Sequence, residues 1–403
     1  MSKLSVRDLE VEDKRVLVRV DFNVPLEEEG GSYIVSDDTR IRESLLTINH
    51  LRQRGAKVIL MSHLGRPKGQ KVEKYSLRPA GQRLSELLGM PVAFSTECIG
   101  DVPQKITAHM RKGDVTLLEN VRFHPEEEAN DPAFARGLAE LGDIYVDDAF
   151  GSAHRAHAST EGVARILPAA AGFLMEKELQ FLGEKLENPE RPFVVVLGGA
   201  KVSDKITVID SLLDRADTIL IGGAMAYTFY LAQGCSVGAS LCEPEKIGIA
   251  KAALKKAEER DVKFLLPVDS YVAENVDLKG RKMSPGKFVE QIPNGWVGVD
   301  IGPETVRKFR GEILGARTIF WNGPMGIFEI GECSKGTFAI AEAIGANAEA
   351  ISIVGGGDSV KAVRRAGMAD RVTFISTGGG ASLELLEGKE LPGVAALATQ
   401  EVS

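Results

Sequence analysis

The sequence lacks the features that mark membrane, secreted and zinc-binding proteins. Its 403 residues contain no apolar run long enough to span a bilayer, and the charged start MSKLSVRDLEVEDKR has no apolar centre of a signal peptide. Only four cysteines occur, and no two of them form a Cys-x-x-Cys pair. Reduced thiols explain them better than disulfides or zinc ligands do. We therefore expect a cytoplasmic protein.

Two common nucleotide-binding signatures are also missing. Neither GxxxxGK(S/T) nor GxGxxG occurs in the chain, which argues against a Walker-type P-loop and a standard dinucleotide fingerprint. The formal net charge of -8 disfavours nonspecific binding to nucleic acid or to anionic membranes. An anionic ligand would therefore need a local concentration of positive charge.

Short apolar, β-branched runs recur along the chain and alternate with segments of helical periodicity. Runs of this kind are typical of strands buried on both faces of a parallel sheet in an α/β fold. They lie at residues 15–20, 57–61, 114–118, 144–146, 193–197, 218–221, 263–267, 318–321, 351–354 and 372–376. Because these are too many strands for one small sheet, we predict two doubly wound, Rossmann-like domains.

A boundary between the two domains is predicted near residues 172–192. The stretch FLMEKELQFLGEKLENPERP has the apolar spacing of an amphipathic helix and ends in Asn188-Pro189 and Arg191-Pro192. We predict a hinge helix over 173–189, between a domain at 1–172 and a second domain at 190–387.

Polar and positively charged side chains follow the strands of the first half. Ligands of open α/β sheets bind beyond the carboxyl ends of the strands, and arginine suits planar contact with carboxylate and phosphate. The residues in question are Asp21, Asn23, Arg40, His63, Arg66, Arg122 and Arg155. They predict a site for a small, multiply charged anion, the alternative being surface arginines paired with acidic neighbours. A metal site at HRAH (154–157) lacks a strong third ligand in register.

Glycines follow the strands of the second half instead. The loops are GGAK (198–201), GGAM (222–225), NGPMG (322–326), GGGDS (355–359) and TGGGAS (377–382). Glycine allows close backbone approach, and helix N-termini offer free N–H groups to phosphate. Five such loops in one domain predict a polyphosphate site.

Four charged residues near these loops could complete a nucleotide site. Lys201 and Lys205 are spaced i and i+4, which would place both on one face of a helix's first turn. Asp358 follows three glycines and could either cap a helix or hold Mg²⁺. Glu329 could bind both ribose hydroxyls, although a plain surface glutamate is a comparable interpretation.

Taken together, these motifs resemble the phosphoglycerate kinase family. The segments VLVRVDFNVP, SHLGRP, ENVRFH, DDAFGSAHRAHAS, LGGAKVSDKI, WNGPMGIFE, GGGDS and STGGGAS occur in the order of that family, from about residue 16 to about 395. The resemblance implies reversible phosphoryl transfer from 1,3-bisphosphoglycerate to ADP, giving 3-phosphoglycerate and ATP, in a cleft closed by hinge motion. It also implies a monomer, small-molecule substrates with no nucleic acid or membrane partner, and a segment 388–403 that returns to the first domain.

The resemblance further implies a role for each matching residue. The phosphoglycerate would be bound by Asp21, Asn23, Arg40, His63, Leu64, Gly65, Arg66, Arg122 and Arg155. The nucleotide would be bound by Lys205, Gly298, Asn322, Glu329, Gly356, Gly357, Asp358 and Ser359, with Asp358 also toward Mg²⁺. The catalytic set would be Arg40, Lys201, Gly357 and Gly380.

Two other functions compete with that of a kinase. A two-lobed solute-binding module would carry an export signal, and its ligand would not need Lys201, Lys205 and Asp358. A nucleotide-dependent oxidoreductase is disfavoured by the missing GxGxxG. ADP-dependent consumption of an acyl phosphate would separate the three.

Overall fold

The structure is a computed structural model that describes residues 3–399, and its internal contacts divide the chain into two compact units. Unit 1 comprises the described residues up to Leu179 together with those from Glu390 onward, and unit 2 comprises Gln180–Lys389. The predicted domain bounds, and the ligand predicted for each domain, remain predictions. Among the described residues, none of the helices combines the length and the hydropathy that a membrane span requires.

Unit 1 is built around a six-stranded parallel sheet. The strands of the unit are β1 (Arg15–Arg19), β2 (Leu26–Glu29), β3 (Ser32–Val35), β4 (Lys57–Met61), β5 (Ala93–Phe94), β6 (Val115–Leu117), β7 (Ile144–Asp147) and β8 (Ala169–Ala171). The sheet has the order β5-β6-β4-β1-β7-β8, and β2 and β3 form a separate antiparallel hairpin. Val16, Leu17 and Val18 of β1 are fully buried, as the continuous apolar run predicts for a strand covered on both faces.

The helices of unit 1 connect these strands. They are α1 (Thr39–Gln53), α2 (Arg78–Leu88), α3 (Asp101–Ala108), α4 (Pro125–Glu128), α5 (Pro132–Ala139) and α6 (Phe173–Glu178). Short 3-10 turns lie at Val6–Asp8, Glu73–Tyr75, Val121–Phe123 and Phe150–Ser152, and a π-helical turn lies at Ala158–Gly162.

Unit 2 repeats the architecture with a second six-stranded parallel sheet. Its strands are β9 (Phe193–Leu197), β10 (Thr218–Ile221), β11 (Lys263–Leu265), β12 (Ser270–Ala273), β13 (Val276–Asp277), β14 (Lys282–Met283), β15 (Lys287–Val289), β16 (Val297–Ile301), β17 (Thr318–Asn322), β18 (Ile351–Gly355) and β19 (Phe374–Ile375). The parallel sheet has the order β11-β10-β9-β17-β18-β19. The predicted pair of doubly wound parallel sheets is therefore confirmed. The antiparallel sheet β15-β12-β16 and the hairpin β13–β14 were not predicted.

The helices of unit 2 flank this sheet. They are α7 (Lys185–Glu187), α8 (Ile206–Leu212), α9 (Met225–Ala232), α10 (Ile247–Glu259), α11 (Pro303–Leu314), α12 (Lys335–Ala346), α13 (Gly357–Arg365) and α14 (Gly380–Leu386). Further 3-10 turns lie at Pro244–Lys246, Gly331–Cys333 and Ala369–Arg371.

The helical stretch predicted over 173–189 is present but is not a uniform α-helix. It runs as α6, then as a π-helical segment at Leu179–Glu184, and then as α7, which ends at Glu187. The two contact units divide at Leu179 and Gln180, where the π segment begins. A π segment interrupts the regular hydrogen-bond ladder of an α-helix, and such segments occur often at functional sites.

The residues after Lys389 return to unit 1. A last helix, α15 (Pro392–Ala395), places the N–H of Gly393 2.8 Å from the carbonyl oxygen of Ala153. The N–H of Leu4 donates to the carbonyl of Ala398 at 2.8 Å, and the N–H of Ala398 donates to the carbonyl of Ala169 at 3.1 Å. The two sequence ends of unit 1 are therefore joined by backbone hydrogen bonds.

Candidate active site

The segment after β1 turns its two polar side chains toward different neighbours. The N–H of Phe22 donates to the Ser62 hydroxyl at 2.8 Å, which fixes the segment to the end of β4. Asp21 accepts a hydrogen bond from Arg40 at 2.9 Å, and the Oδ1 atom of Asn23 accepts one from the Gly65 N–H at 2.9 Å. The Asp21 and Asn23 side chains thus hold Arg40, in the first turn of α1, and the loop after β4.

The loop after β4 is built around a glycine that no other residue could replace without strain. Gly65 has a φ of +62°, and a Cβ atom at that position would lie 2.5 Å from the Tyr75 ring. Its carbonyl oxygen accepts a hydrogen bond from Arg122 at 3.0 Å. Leu64 is buried, and its carbonyl oxygen accepts a hydrogen bond from Asn120 at 2.7 Å. Leu64 and Gly65 therefore anchor the loop through their backbones.

His63 lies at the centre of the positive charge of unit 1. Burial lowers the pKa of His63 well below its ordinary value, and the charges of Arg19, Arg122, Arg155 and Arg40 lower it further. The ring is consequently neutral at physiological pH. The charges of four arginines from separate segments therefore act together on this histidine.

Arg122 is the most deeply buried of the predicted arginines. Only 5% of it is exposed, and burial lowers its pKa to about 10, with the charges of Arg155 and Arg19 adding to that shift. Its Nε atom has no hydrogen-bond partner among residues 3–399, although Glu128 lies 3.4 Å from that nitrogen. A buried guanidinium nitrogen without an acceptor is suited to bind an anionic oxygen.

The remaining two predicted arginines differ in their placement. Arg155 is half-buried and donates through Nε to His154 at 3.2 Å. Arg66 is exposed and makes no hydrogen bond or ion pair with any residue in the described part of the chain. The structure thus joins Arg155, but not Arg66, to the cluster around His63.

Sequence reasoning missed Arg19, the last residue of β1. Its side chain is 1% exposed and donates to the Nδ1 atom of His63 at 2.9 Å and to the Ser159 hydroxyl at 2.9 Å. It also donates to the carbonyl oxygen of Val20. The sequence did contain a signal, because a charged residue inside a buried strand is rare unless it is paired or functional.

The second predicted site begins where β17 ends, at Asn322. This residue is 3% exposed, and its Oδ1 atom accepts a hydrogen bond from the ammonium group of Lys205. Its Nδ2 atom finds no partner within residues 3–399. Burial lowers the pKa of Lys205 to about 8, while the charges of Asp204 and Asp358 raise it. Lys205, Asn322 and Asp358 are thus brought together.

The predicted helix start at Lys201 is wrong. Helix α8 begins at Ile206, and Lys205 is the residue that precedes it, so the two lysines do not share a helical face. Lys201 is exposed in the preceding loop, where its charge helps to lower the pKa of Glu243. Val202 is fully buried in the core. Its packing holds the loop in place, and the helix begins only after it.

The glycines of unit 2 fall into two classes that the sequence did not separate. At Gly198, Gly223 and Gly323, a Cβ atom would lie 2.0–2.5 Å from a backbone oxygen of a neighbouring loop. These loops therefore pack backbone against backbone. In contrast, a Cβ atom added at Gly357 or Gly379 would have no neighbouring atom within 4 Å, so these two glycines leave their backbones approachable.

Helix α13 begins at this open backbone. Gly356 precedes it with a φ of +85°, and its would-be Cβ atom lies 3.0 Å from the Asn322 amide nitrogen. Asp358 is exposed in the first turn, 3.4 Å from Lys361. Ser359 is buried, and its hydroxyl accepts the N–H of Gly323 at 2.5 Å. The capping alternative for Asp358 has no support, since Gly356 is the capping position and no side chain caps the helix.

Three predicted residues of unit 2 lie apart from this group. Gly298 is buried in β16, where a Cβ atom would lie 2.0 Å from the Tyr227 hydroxyl oxygen. Glu329 is exposed in a turn and makes no hydrogen bond or ion pair within the described residues. Gly380 is the exposed first residue of α14.

Neither site has the ligand cluster of a preformed metal cage among the described residues. Across residues 3–399, no three His, Cys, Asp or Glu side chains are grouped as a metal cage would require. Mg²⁺ needs no such cage, because it binds through one or two carboxylates together with substrate phosphates. The exposed carboxylate of Asp358, beside an approachable glycine backbone, fits that kind of site.

Comparison with known proteins gives a consistent result. The phosphoglycerate kinase family model matches residues 6–389. The chain is 56% identical to a phosphoglycerate kinase of Acidobacterium capsulatum, covering 98% of this chain and 99% of that protein. It is 55% identical to one from Chlorobium limicola, covering 98% and 100%. A solved phosphoglycerate kinase structure from Coxiella burnetii superposes with a TM-score of 0.87 at 39% identity, over 98% of each chain.

A second solved structure extends the comparison to a more distant relative. The phosphoglycerate kinase of Pyrococcus horikoshii gives a TM-score of 0.80 at 34% identity, again over 98% of each chain. The family model, the relatives and the solved structures all span nearly the whole chain. The chain therefore belongs to the phosphoglycerate kinase family, and it is a kinase that transfers a phosphoryl group reversibly between 1,3-bisphosphoglycerate and ADP.

Proposed function

We propose that the arginine cluster of unit 1 binds the phosphoglycerate and that the strand ends of unit 2 bind the nucleotide. The observation that carries this division is the contrast between the two sites. The charges of four arginines act on a neutral His63 in unit 1, whereas unit 2 offers one half-buried lysine and open glycine backbones. Fixed guanidinium groups suit a small anion with a carboxyl and a phosphate group.

In unit 1, the phosphoglycerate oxygens are bound by Arg122, Arg155 and the ring of His63. The hydroxyl group of the glycerate donates to a remaining lone pair of Asp21, because a carboxylate is the best acceptor for a hydroxyl donor. Arg40 neutralises Asp21 and is half-exposed, so its remaining N–H groups can reach the phosphoryl group that moves. Asn23, Leu64 and Gly65 hold the loop, and Arg66 adds positive charge at the surface.

In unit 2, the nucleotide phosphates are bound by Lys205 and by the N–H groups of Gly356, Gly357 and Ser359. Asn322 orients Lys205 through their hydrogen bond. Gly298 and Glu329 belong to the proposed adenosine side, where Gly298 packs against the buried Tyr227 and leaves no room for a side chain of its own.

Mg²⁺ is the proposed metal ion, held by Asp358 together with nucleotide oxygens. When bound, it supplies positive charge that neutralises the phosphate oxygens. The protein's own contribution is the placement of one exposed carboxylate in the first turn of α13.

Chemistry at these residues needs no general base. The attacking group is an ionised carboxylate in one direction and an ionised phosphate oxygen in the other, so no proton has to be removed. Catalysis rests on positioning and on neutralising the charge of the moving phosphoryl group. The proposed catalytic groups are Arg40, Lys201 and the N–H groups of Gly357 and Gly380.

The protein acts on small-molecule substrates, and we further propose that it works as a monomer in the cytoplasm. Its acidic net charge and scattered cysteines support that setting.

Calorimetric titration tests the division of substrates. In Arg122→Ala, the affinity for 3-phosphoglycerate should fall at least tenfold while the affinity for MgADP stays unchanged. Lys205→Ala should give the reverse pattern, and Arg111→Ala, an exposed arginine of the same unit as Arg122, should change neither. A loss of MgADP affinity in Arg122→Ala with intact 3-phosphoglycerate binding would contradict the division.

A further inference from the structure

A buried carboxylate lies behind the arginine cluster, and the reaction as described does not use it. Glu127, in α4, is 0% exposed. Its Oε2 atom accepts the N–H of Ser159 at 2.9 Å, and its Oε1 atom accepts the Ser159 hydroxyl at 2.6 Å. Burial raises the pKa of Glu127, while the charge of Arg19 and the hydrogen bonds from Ser159 lower it. His157 lies 3.8 Å from Oε1, but burial and nearby arginines lower the pKa of His157 to about 4, so that ring carries no charge at neutral pH.

The hydrogen bonds from Glu127 to His63 can run in only one direction. A carboxylate only accepts, so the Ser159 hydroxyl uses its single proton on Glu127. A guanidinium only donates, so the Nε–H of Arg19 donates to the Ser159 oxygen at 2.9 Å. The second donation from Arg19, over 2.9 Å, goes to the Nδ1 atom of His63, which must then be an acceptor.

This direction decides which ring nitrogen of His63 carries the proton. Burial, together with the positive charge around the ring, keeps it neutral, so it has one N–H group. With Nδ1 accepting from Arg19, that N–H is at Nε2, which makes no hydrogen bond to any residue in the described part of the chain. The carboxylate and phosphate oxygens of an anionic substrate are acceptors, so the opposite tautomer would face them with a lone pair instead of a donor.

We infer that Glu127, acting through Ser159 and Arg19, is a positioning residue that holds neutral His63 in its Nε2–H tautomer, so that the ring donates a hydrogen bond to the anionic substrate. The effect on substrate binding rests on the proposed phosphoglycerate site, whereas the tautomer does not. The tautomer is a property of the protein without ligand.

Nitrogen NMR of the ligand-free protein measures the tautomer directly. We expect the wild-type spectrum to show an unprotonated Nδ1 and a protonated Nε2 for His63, with the signals assigned by their loss in His63→Gln. In Glu127→Gln the amide can donate to Ser159 and displace the Nε–H of Arg19 from it, so Arg19 should shift away from the Nδ1 atom of His63 and the two tautomers should mix. Ser159→Ala removes the hydroxyl that links Glu127 to Arg19. It is a smaller change to the side chain and should also mix the two tautomers. Glu126→Gln, an exposed residue of the same helix with the same change in charge, should leave the signals unaltered.

Titration then gives the functional consequence. In Glu127→Gln and Ser159→Ala, the affinity for 3-phosphoglycerate should fall about tenfold, with kcat less affected and the affinity for MgADP unchanged. A general folding defect would instead lower the affinity for both ligands.

Three outcomes would overturn the inference. They are a protonated Nδ1 in the wild-type protein, an unchanged tautomer in both variants, and a mixed tautomer with normal 3-phosphoglycerate affinity. The proposed function fails separately, if His63→Gln and Arg122→Ala both bind 3-phosphoglycerate normally while the wild-type tautomer is as expected.

Discussion

Arg40 is a residue for which we propose both a structural and a chemical role. It pairs with Asp21 at 2.9 Å, yet 38% of its side chain is exposed, so the pair leaves donors free for a ligand. An exposed pair of this kind stabilises the fold by at most about 1 kcal/mol. We therefore propose that the value of the residue lies in its interaction with the moving phosphoryl group.

Replacing Arg40 with alanine should lower kcat by roughly a hundredfold or more and change KM much less, because the lost contact forms mainly in the transition state. Steady-state kinetics with 3-phosphoglycerate and MgATP measure both constants. Arg42→Ala is the matched control, since Arg42 lies in the same helix and pairs with Asp38. A near-normal kcat in Arg40→Ala would remove Arg40 from the catalytic set.

Asp358→Asn should weaken the use of the metal-nucleotide complex and leave phosphoglycerate affinity nearly intact. The carboxylate is exposed, so its loss should not disturb packing. Titrations with MgADP and with 3-phosphoglycerate separate the two effects, and Asp370→Asn serves as the exposed control in the same unit. Unchanged MgADP affinity and activity would show that Asp358 does not hold the metal.

Lys205 should make nucleotide binding sensitive to pH above neutrality. Its pKa is lowered to about 8 by burial, so the ammonium charge is present below that pH and is lost as the pH rises through it. We expect the affinity for MgADP to fall about tenfold between about pH 7 and pH 9.5. Lys205→Arg should bind with little change over that range, because arginine stays charged. Identical pH profiles for the two proteins would contradict the assignment.

Sequence analysis selected residues at the ends of apolar runs and passed over a charged residue inside one, and the roles of the selected residues remain predictions. Arg122 and Asn322 could be found because the carboxyl edge of a parallel sheet is a known place for ligands. Arg19 was marked only by its charge inside an apolar run, and its role could not be predicted, since that role depends on His63 and Ser159, 44 and 140 residues away along the chain. Sequence spacing carries no information about such distant contacts.

At the scale of the element, the glycine loops carry two functions under one pattern. Gly198 and Gly223 allow neighbouring loops to touch, whereas Gly357 exposes the start of α13. Sequence alone predicted all five loops as phosphate sites, because glycine followed by a helix is common to both classes. Which class a glycine belongs to depends on whether a neighbouring loop packs against it. Likewise, the start of α8 depended on Val202 entering the core, which the i, i+4 spacing of the lysines did not reveal.

Two alanine substitutions should separate the classes. Gly198→Ala places a methyl group 2.0 Å from the Pro324 carbonyl oxygen and should cost roughly 1–3 kcal/mol, lowering Tm by about 5 °C or more. Gly357→Ala has open space and a φ outside the left-handed region, so Tm should stay near the wild-type value while MgATP affinity falls. Calorimetry and titration measure the two effects. A normal Tm in Gly198→Ala would refute the prediction for Gly198, and a normal MgATP affinity in Gly357→Ala would refute the prediction for Gly357.

At the scale of the whole molecule, the proposed substrate sites lie on different units. In-line transfer needs the donor phosphorus and the acceptor oxygen within about 3–3.5 Å, and water must be kept from the reactive groups. We propose that the units close together when both substrates are bound, with the π segment at Leu179–Glu184 absorbing the change. Either ligand alone should bind the open and the closed state with nearly equal affinity.

Small-angle scattering tests this proposal. The radius of gyration should fall clearly only when 3-phosphoglycerate and a non-reacting MgATP analogue are both present. The same samples with one ligand each are the controls. An equal fall with either ligand alone would contradict the bridging argument, and no fall in any sample would count against hinge closure.

The return of residues 390–399 to unit 1 has a consequence for how the protein is made. Unit 2 is continuous in sequence, so on a ribosome all of its strands have emerged before Gly393 can reach Ala153. Unit 1 begins synthesis first but receives its last contacts, beside the loop that carries Arg155, at the very end. The order of completion is thus the reverse of the order of translation. A nascent chain halted at Lys389 would carry a complete unit 2 and a unit 1 still missing α15.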